Sequence, residues 1–384
     1  MCLVPVSSLA IALLASPTSA ELVPSPDPSL RVATFNVKEL SRVKLDDMDA
    51  LARGRNAQLQ AAAEIIQRLR PDVLVLNEID FDDSERRNAR RFIHRYLNQP
   101  QHGQRSIDYP YVLFLPSNTG VASGLDLDGD GRKDGPEDAW GFGHYPGQYG
   151  MALLSRLPIP LPAVRTFRRL RWSQLPDNAM PDGRAGKPAF YPPAVAAQLR
   201  LSSKSHWDVP IEAGGRVLHL LISHPTPPVF DGEEDRNGRR NFDEIRLWAD
   251  YITGGESADY LVDDRGRRGA LAPDEAFIIL GDLNADPVLG ARLRGHSAIG
   301  QLLENPRIQD PRPRSLGAGV AAGDYPADAS LRTAAFGRAD YILPSRGLSV
   351  RASGVFWPPP GDELATLAEI ASDHHLVWLD LDWP

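Results

Sequence analysis

Residues 72–79, DVLVLNEI, run apolar from Val73 to Leu76 before turning polar at Asn77 and Glu78. Side chains of a strand alternate between faces, so an unbroken apolar run predicts a strand covered on both. Upstream, NAQLQAAAEIIQRLRP (56–71) carries Leu59, Ala62, Ile66 and Leu69 at helical spacing and is stopped by Pro71. RVATFNV (31–37) predicts a strand before that helix. Downstream, RRNARRFIHRYLNQ (86–99) predicts a second helix, leading into a strand at PYVLFL (110–115). Further strands are predicted at 149–155, 194–202, 216–223, 276–282, 340–344 and 375–381, and helices at FDEIRLWADYI (242–252) and HSAIGQLLEN (296–305). Mixed elements of this kind specify an α/β or α+β protein with at least one fully covered sheet.

The 384 residues are 42% hydrophobic and 24% charged, an ordinary globular balance. No linker-like stretch or internal repeat divides the chain, which predicts one loop-rich domain over 21–384. The first twenty residues are apolar and uncharged, with an apolar run around Leu9 to Ala15 and a small-x-small site at Thr18-Ser19-Ala20. This pattern predicts a signal peptide over 1–20, hence export to a periplasmic or extracellular location. Cleavage would remove Cys2, the only cysteine, so core packing and bound metal must hold the mature chain. No later run is apolar for long enough to span a membrane. The formal net charge of −8 argues against tight nucleic-acid backbone binding, though not against a metal-dependent nuclease, whose cations offset local acidity. A monomer is expected.

Polar residues gather where the predicted strands end. Asn36 and Glu78 close two strands, His224 follows HLLIS, and Asp282 and Asn284 follow FIILG. Asp340 begins DYIL, and Asp373-His374 precede the last strand. Strand ends converging on one rim are where α/β proteins place their sites. Two asparagines, four carboxylates and two histidines there suit a hard divalent cation and an anionic substrate.

The motifs TFNV, LNEID, SHPTPP, GDLNADP, RADYIL and SDHHLVW resemble, in order and type, those of the endonuclease/exonuclease/phosphatase family with its DNase I-like fold. The resemblance runs from about Arg31 to Pro384, and GDLNADP followed by SDHHLV is its most specific part. It implies a four-layer αββα sandwich, two mixed sheets packed face to face with helices outside, and metal-dependent hydrolysis of phosphate esters. It also implies that Glu78 is the main ligand of a catalytic Mg²⁺ (or Mn²⁺), with Asn36 and Asp373 close to the metal. Asp282 resembles the aspartate that orients or deprotonates the attacking water, and Asn284 its hydrogen-bonding neighbour. His374, oriented by Asp340, resembles the histidine on the scissile phosphate, and His224 the second histidine, which stabilises developing charge or the leaving group. The residues alone leave other readings open: His224 as a core histidine, Asp340 as a strand cap, Glu78 as a surface turn.

Two segments are candidates for substrate contact. FDGEEDRNGRRNFDEIR (230–246) offers Arg236, Arg239 and Arg240, and LRLSSKSHWDVPI (199–211) offers Lys204 and His206. A surface ion-pair network and a packed Trp207 with a satisfied histidine are the competing readings. DLDGDGRKDGPED (126–138) matches the calcium-loop pattern D-x-[DN]-x-[DN]-G-x5-E. It predicts a structural Ca²⁺ held by side chains of Asp126, Asp128, Asp130, Asp134 and Glu137 and the carbonyl of Arg132. Lys133 and Pro136 argue for a static insertion rather than an opening helix pair. A phosphoesterase is therefore expected, its substrate open among nucleic acid, small phosphate esters, inositol phosphates and phospholipid headgroups. The alternative class is a non-catalytic, extracellular calcium-binding recognition module on the same scaffold.

Overall fold

The structure, a computed structural model, describes residues 29–82, 87–181, 189–321 and 324–383. The signal peptide expected over 1–20 lies outside the described residues. In chain order the strands are β1 (Ser29–Leu40), β2 (Val73–Ile79), β3 (Tyr111–Phe114), β4 (Gly150–Ser155), β5 (Arg165–Thr166), β6 (His206–Ala213) and β7 (Arg216–Ser223). There follow β8 (Ala276–Asp282), a small hairpin of β9 (Arg292–Leu293) and β10 (His296–Ser297), then β11 (Asp340–Pro344), β12 (Val350–Val355) and β13 (Val377–Asp382).

Two mixed sheets carry the fold. One has the order β12-β13-β1-β2-β4-β3, with β1 and β2 parallel; the other is β11-β8-β7-β6-β5, with β7 and β8 parallel. The apolar run of β2 shows why they stack. Val73 and Val75 pack into the core between the sheets, whereas Leu74 and Leu76 pack outward beneath helices. β8 divides the same way: Ile278 and Leu280 face inward, Phe277 and Ile279 face the outer layer. Helix Ala57–Leu69 covers the first sheet and helix Arg236–Thr253 the second, completing four layers.

Local chemistry sets the element ends. Asn56 caps the first long helix by accepting from the Leu59 amide, and Arg70 leaves it in the left-handed region at φ 52°. Two expectations need correction. Residues 194–202 form no strand: Pro192 and Pro193 start a helical turn, Pro193–Ala196, and an irregular segment follows. The strand begins instead at His206 and runs through Pro210, which lies beyond the last residue paired with β5, where a missing N–H costs little. The helix expected over 296–305 shrinks to Gly300–Leu303, because His296 and Ser297 pair in the small hairpin.

Candidate active site

Both sheets present the same rim to one cluster. Asn36 lies toward the end of β1, Glu78 near the end of β2, Asp282 at the end of β8, and His224 directly after β7. β11 runs antiparallel to β8 and pairs Asp340 with Asp282, while β13 runs antiparallel to β1 and brings Asp373 and His374 alongside. Hydrogen bonds then cross between the sheets. Asn36 Nδ2 donates to Glu78 Oε1 (3.0 Å) and to Asp282 Oδ2 (3.0 Å), and the Asp282 amide donates to Asn77 Oδ1 (3.2 Å).

Asp282 is the centre. Its Oδ2 lies 3.4 Å from His224 Nε2 and 3.8 Å from His374 Nε2, and its Oδ1 accepts the Asn284 amide at 2.9 Å. Burial raises its pKa to about 7 against the pull of His374, with the neighbouring Asp340 adding to the rise. His374 Nδ1 bonds Asp340 Oδ2 at 2.8 Å. Burial alone would lower the His374 pKa, but Asp340 and Asp282 overcome it and raise the ring to about 10. His224 differs: it is buried without a carboxylate behind it, its Nδ1 has no partner, and burial followed by Lys204 and His374 drives its pKa well below the usual value. It is a neutral imidazole, which fits a hydrogen-bonding role better than a charged one.

At the other side of Asn36, Glu78 Oε2 accepts the Glu39 amide (3.1 Å), and Asp373 Oδ2 lies 3.2 Å from Lys38 Nζ. Lys38, Glu39, Glu78 and Asn284 all have positive φ, between 45° and 64°. Non-glycine residues held there store strain, a feature concentrated at functional sites. Asn36 Oδ1 accepts the Lys38 amide at 3.0 Å, so Lys38 ties Asn36 to Asp373 on this side of the cluster. Ligand atoms of Asp282, Asp340 and His374 also lie within 4.8 Å of one another, close enough to surround an ion.

Several contributors were not singled out in the sequence. The Thr333 hydroxyl donates to Asp340 Oδ2 at 2.7 Å while accepting the Ala339 and Asp340 amides, so it fixes the carboxylate behind His374. Ser372 Oγ accepts the His374 amide and donates to the Asn36 carbonyl. Buried Glu244 accepts the amides of Ser203 and Thr226, both at 2.6 Å, pinning the segments beside Lys204 and His224. Only long-range folding brings these side chains to the rim.

The candidate substrate contacts separate sharply. Lys204 is 6% exposed; burial lowers its pKa, opposed by the field of Glu244, Glu78 and Asp282. His206 is not brought there: it accepts from Ser202 Oγ (2.6 Å), donates to the Glu244 carbonyl (2.9 Å), and burial lowers its pKa to about 4. Arg240 donates to the carbonyls of Leu201, Trp140 and Arg200, and Arg239 to those of Glu234 and Ala179. Arg236 pairs with Glu234 and lies over Phe190. Their guanidiniums tie loops together.

The acidic loop is inserted between β3 and β4 and flanked by no α-helix, only by the 3-10 turn Pro136–Asp138. Ligand atoms of Asp126, Asp128 and Asp130 converge within 4.8 Å. Asp126 accepts the amides of Gly129 and Gly131, which curls the loop around its own first residue. Asp134 instead pairs with Arg132 at 3.2 Å, and neither Asp134 nor Glu137 belongs to the converging group. Asp138, unremarked in the sequence, is the buried acid that holds the loop, accepting the amides of Leu127 and Gly135.

Two covered sheets, with a carboxylate between two imidazoles at their shared rim, define a phosphoesterase-type scaffold of DNase I-like architecture. The chain belongs to the Endonuclease/Exonuclease/phosphatase family, whose model matches residues 33–374. Members of this family are generally hydrolases acting on phosphate esters. Among solved structures, an endonuclease/exonuclease/phosphatase from Beutenbergia cavernae is similar at a TM-score of 0.52 and 17% identity, over 92% of this chain and 71% of that one. A family protein from Leptotrichia buccalis is similar at 0.48 and 16% identity, over 92% of this chain and 100% of that one. The human Nocturnin catalytic domain with bound sulfate is similar at 0.48 and 16% identity, over 93% and 95%. No curated protein sequence matches the chain. Among the described residues no helix is long and apolar enough to cross a membrane.

Proposed function

We propose that the protein is an exported, divalent-metal-dependent phosphoesterase that hydrolyses a phosphate ester by in-line attack of water. The observation that carries this reading is Asp282, buried between His224 and His374 and joined through Asn36 to Glu78. Above its raised pKa, Asp282 is ionised and takes a proton from water as the water oxygen bonds phosphorus. His374, kept protonated by Asp340, neutralises a non-bridging oxygen and supplies the proton that the departing oxygen needs as its bond to phosphorus breaks. Neutral His224 and Asn284 orient Asp282 and the phosphate, and the Lys204 ammonium binds a phosphate oxygen.

Glu78, Asn36 and Asp373 would hold Mg²⁺ or Mn²⁺, which supplies charge neutralisation for the phosphate oxygens when bound. Asp126, Asp128 and Asp130 would hold a structural Ca²⁺ in the inserted loop. Export rests on the N-terminal apolar segment and the small-x-small site before Glu21. The protein acts as a monomer in this reading. Nucleic acid stays among the substrates to be tried.

A panel of plasmid DNA, RNA, sphingomyelin, phytate and simple monoesters, each with Mg²⁺, Mn²⁺ or Ca²⁺, tests the proposal. At least one should be hydrolysed, and chelation should abolish the activity. Asp282→Ala and His374→Ala should each lose several orders of magnitude in kcat while keeping the wild-type circular dichroism. Wild-type rates in both variants would end the assignment.

A further inference from the structure

Among the described residues, three arginines have no carboxylate partner and lie beside the rim. Arg168 and Arg200 are half-buried and Arg169 is exposed. Asn118, fully buried, ties two of them together: its Nδ2 donates to the carbonyls of Arg168 and Ser202, and its Oδ1 accepts Arg200 Nη1 at 2.6 Å. The Arg200 guanidinium also lies over the Trp140 ring, 4.6 Å from its centroid. Among the described residues none of the three forms an ion pair with an acid. The nearby carboxylate, Asp264, is spent on the backbone: it accepts the Thr166 hydroxyl and the amides of Arg168 and Arg169. Burial, with Arg168 and Arg169 adding repulsion, lowers the Arg200 pKa to about 10 even though Asp264 opposes the shift. Three arginines without an acidic partner, held as neighbours through Asn118 and through the Asp264 contacts to the Arg168 and Arg169 backbone in a chain of net charge −8, form a local excess of positive charge that an anion would relieve.

The same asparagine links this cluster to the catalytic rim, because the Asn118 amide donates to the Lys204 carbonyl at 3.0 Å. Arg200 and Lys204 are four residues apart, so their Cα atoms are separated by at most about 14 Å. We propose that Arg168, Arg169 and Arg200 form a second anion site that takes a phosphate group other than the scissile one. The substrate class is then a multiply phosphorylated molecule rather than an isolated monoester or diester. Guanidinium forks suit this task, since each can meet two phosphate oxygens at once. The assignment to substrate rests on the phosphoesterase reading; the anion site itself does not.

Calorimetry with inorganic tripolyphosphate in EDTA tests the site without turnover. Wild type and Asp282→Ala should bind it alike, whereas Arg169→Glu and Arg168→Ala should each weaken binding about tenfold or more. Arg169 is exposed, so its replacement leaves the core intact, and an unchanged melting temperature checks this. Equal affinity in wild type and Arg169→Glu, or no binding by wild type, overturns the site. In the kinetic arm, Arg169→Glu should raise KM about tenfold for a multiply phosphorylated substrate while leaving a small monophosphate ester within about twofold. A shift with a single-stranded oligonucleotide identifies a nucleic-acid strand as the source of the second phosphate, and a shift with phytate identifies an inositol phosphate. Unchanged KM for both overturns the substrate role. Should no phosphoester be turned over at all, the phosphoesterase reading falls and the calorimetry still decides the anion site.

Discussion

At the scale of single residues, the proposed reaction depends on separating two titrations. Burial raises Asp282 to about 7, and a carboxylate acts as a base only when ionised, so activity should climb as pH rises through that value. His374 is held at about 10 by Asp340 and Asp282 in spite of its burial, and it acts only when protonated, so activity should fall as pH passes that value. The expected profile is a plateau between about 7 and 10, read from kcat/KM against pH. Asp340→Asn removes the leading positive influence on the ring and should move the alkaline limb downward. A limb that stays in place in that variant would show that His374 is not the acid. The gathering of Asn36, Glu78, His224, Asp282, Asp340 and His374 was legible because each ends or begins an apolar run, where a polar residue stands out. Thr333 and Asn118 were not: one sits seven residues before Asp340 in an irregular turn, the other opens a long insertion, and their hydrogen bonds join distant segments.

At the scale of elements, the excursion from Ser117 to Tyr149 between β3 and β4 does more than decorate the fold. The Tyr145 hydroxyl donates to Asp80, two residues beyond Glu78, and the Tyr149 hydroxyl donates to Glu39. Its other end meets Arg200 and Lys204 through Asn118. Calcium in the 126–137 loop would therefore stiffen a segment that braces both sides of the rim. A ligand bound only by the folded state at one hundred times its Kd stabilises it by about 2.7 kcal/mol. EDTA should lower the melting temperature, excess Ca²⁺ should restore it, and Asp130→Ala should erase the response. An intact loop without a calcium-dependent shift would leave it a bare acidic turn. The element misread in the sequence shows the limit of pattern alone. Residues 194–202 alternate like a strand, but the Pro192-Pro193 pair favours a helical start and only an isolated bridge from Arg200 to Arg171 forms there, so the strand begins four residues later at His206.

At the scale of the whole molecule, the four layers follow from apolar runs that serve two cores at once, and that part of the fold was readable from β2 and β8. Pairing order was not, because β1 joins β13 from the far end of the chain and only long-range closure decides it. That closure is secured away from the rim. Arg31, five residues or about 17 Å of strand from Asn36, makes a bidentate pair with Asp380 at 2.7 Å on both arms. Its remaining nitrogen donates to the Leu69 carbonyl at the end of the first long helix. The guanidinium also lies 4.7 Å from the centroid of the Trp378 ring. Both charged residues are buried, so removing one strands the other without solvent. Breaking such a pair costs about 3–5 kcal/mol. Asp380→Ala should lose stability on that order in urea unfolding, whereas kcat per folded molecule should stay near wild type because no rim residue touches the pair. If kcat falls with stability, strand closure and site geometry are coupled through β13, since Val377, three residues after His374, begins the strand that Asp380 anchors.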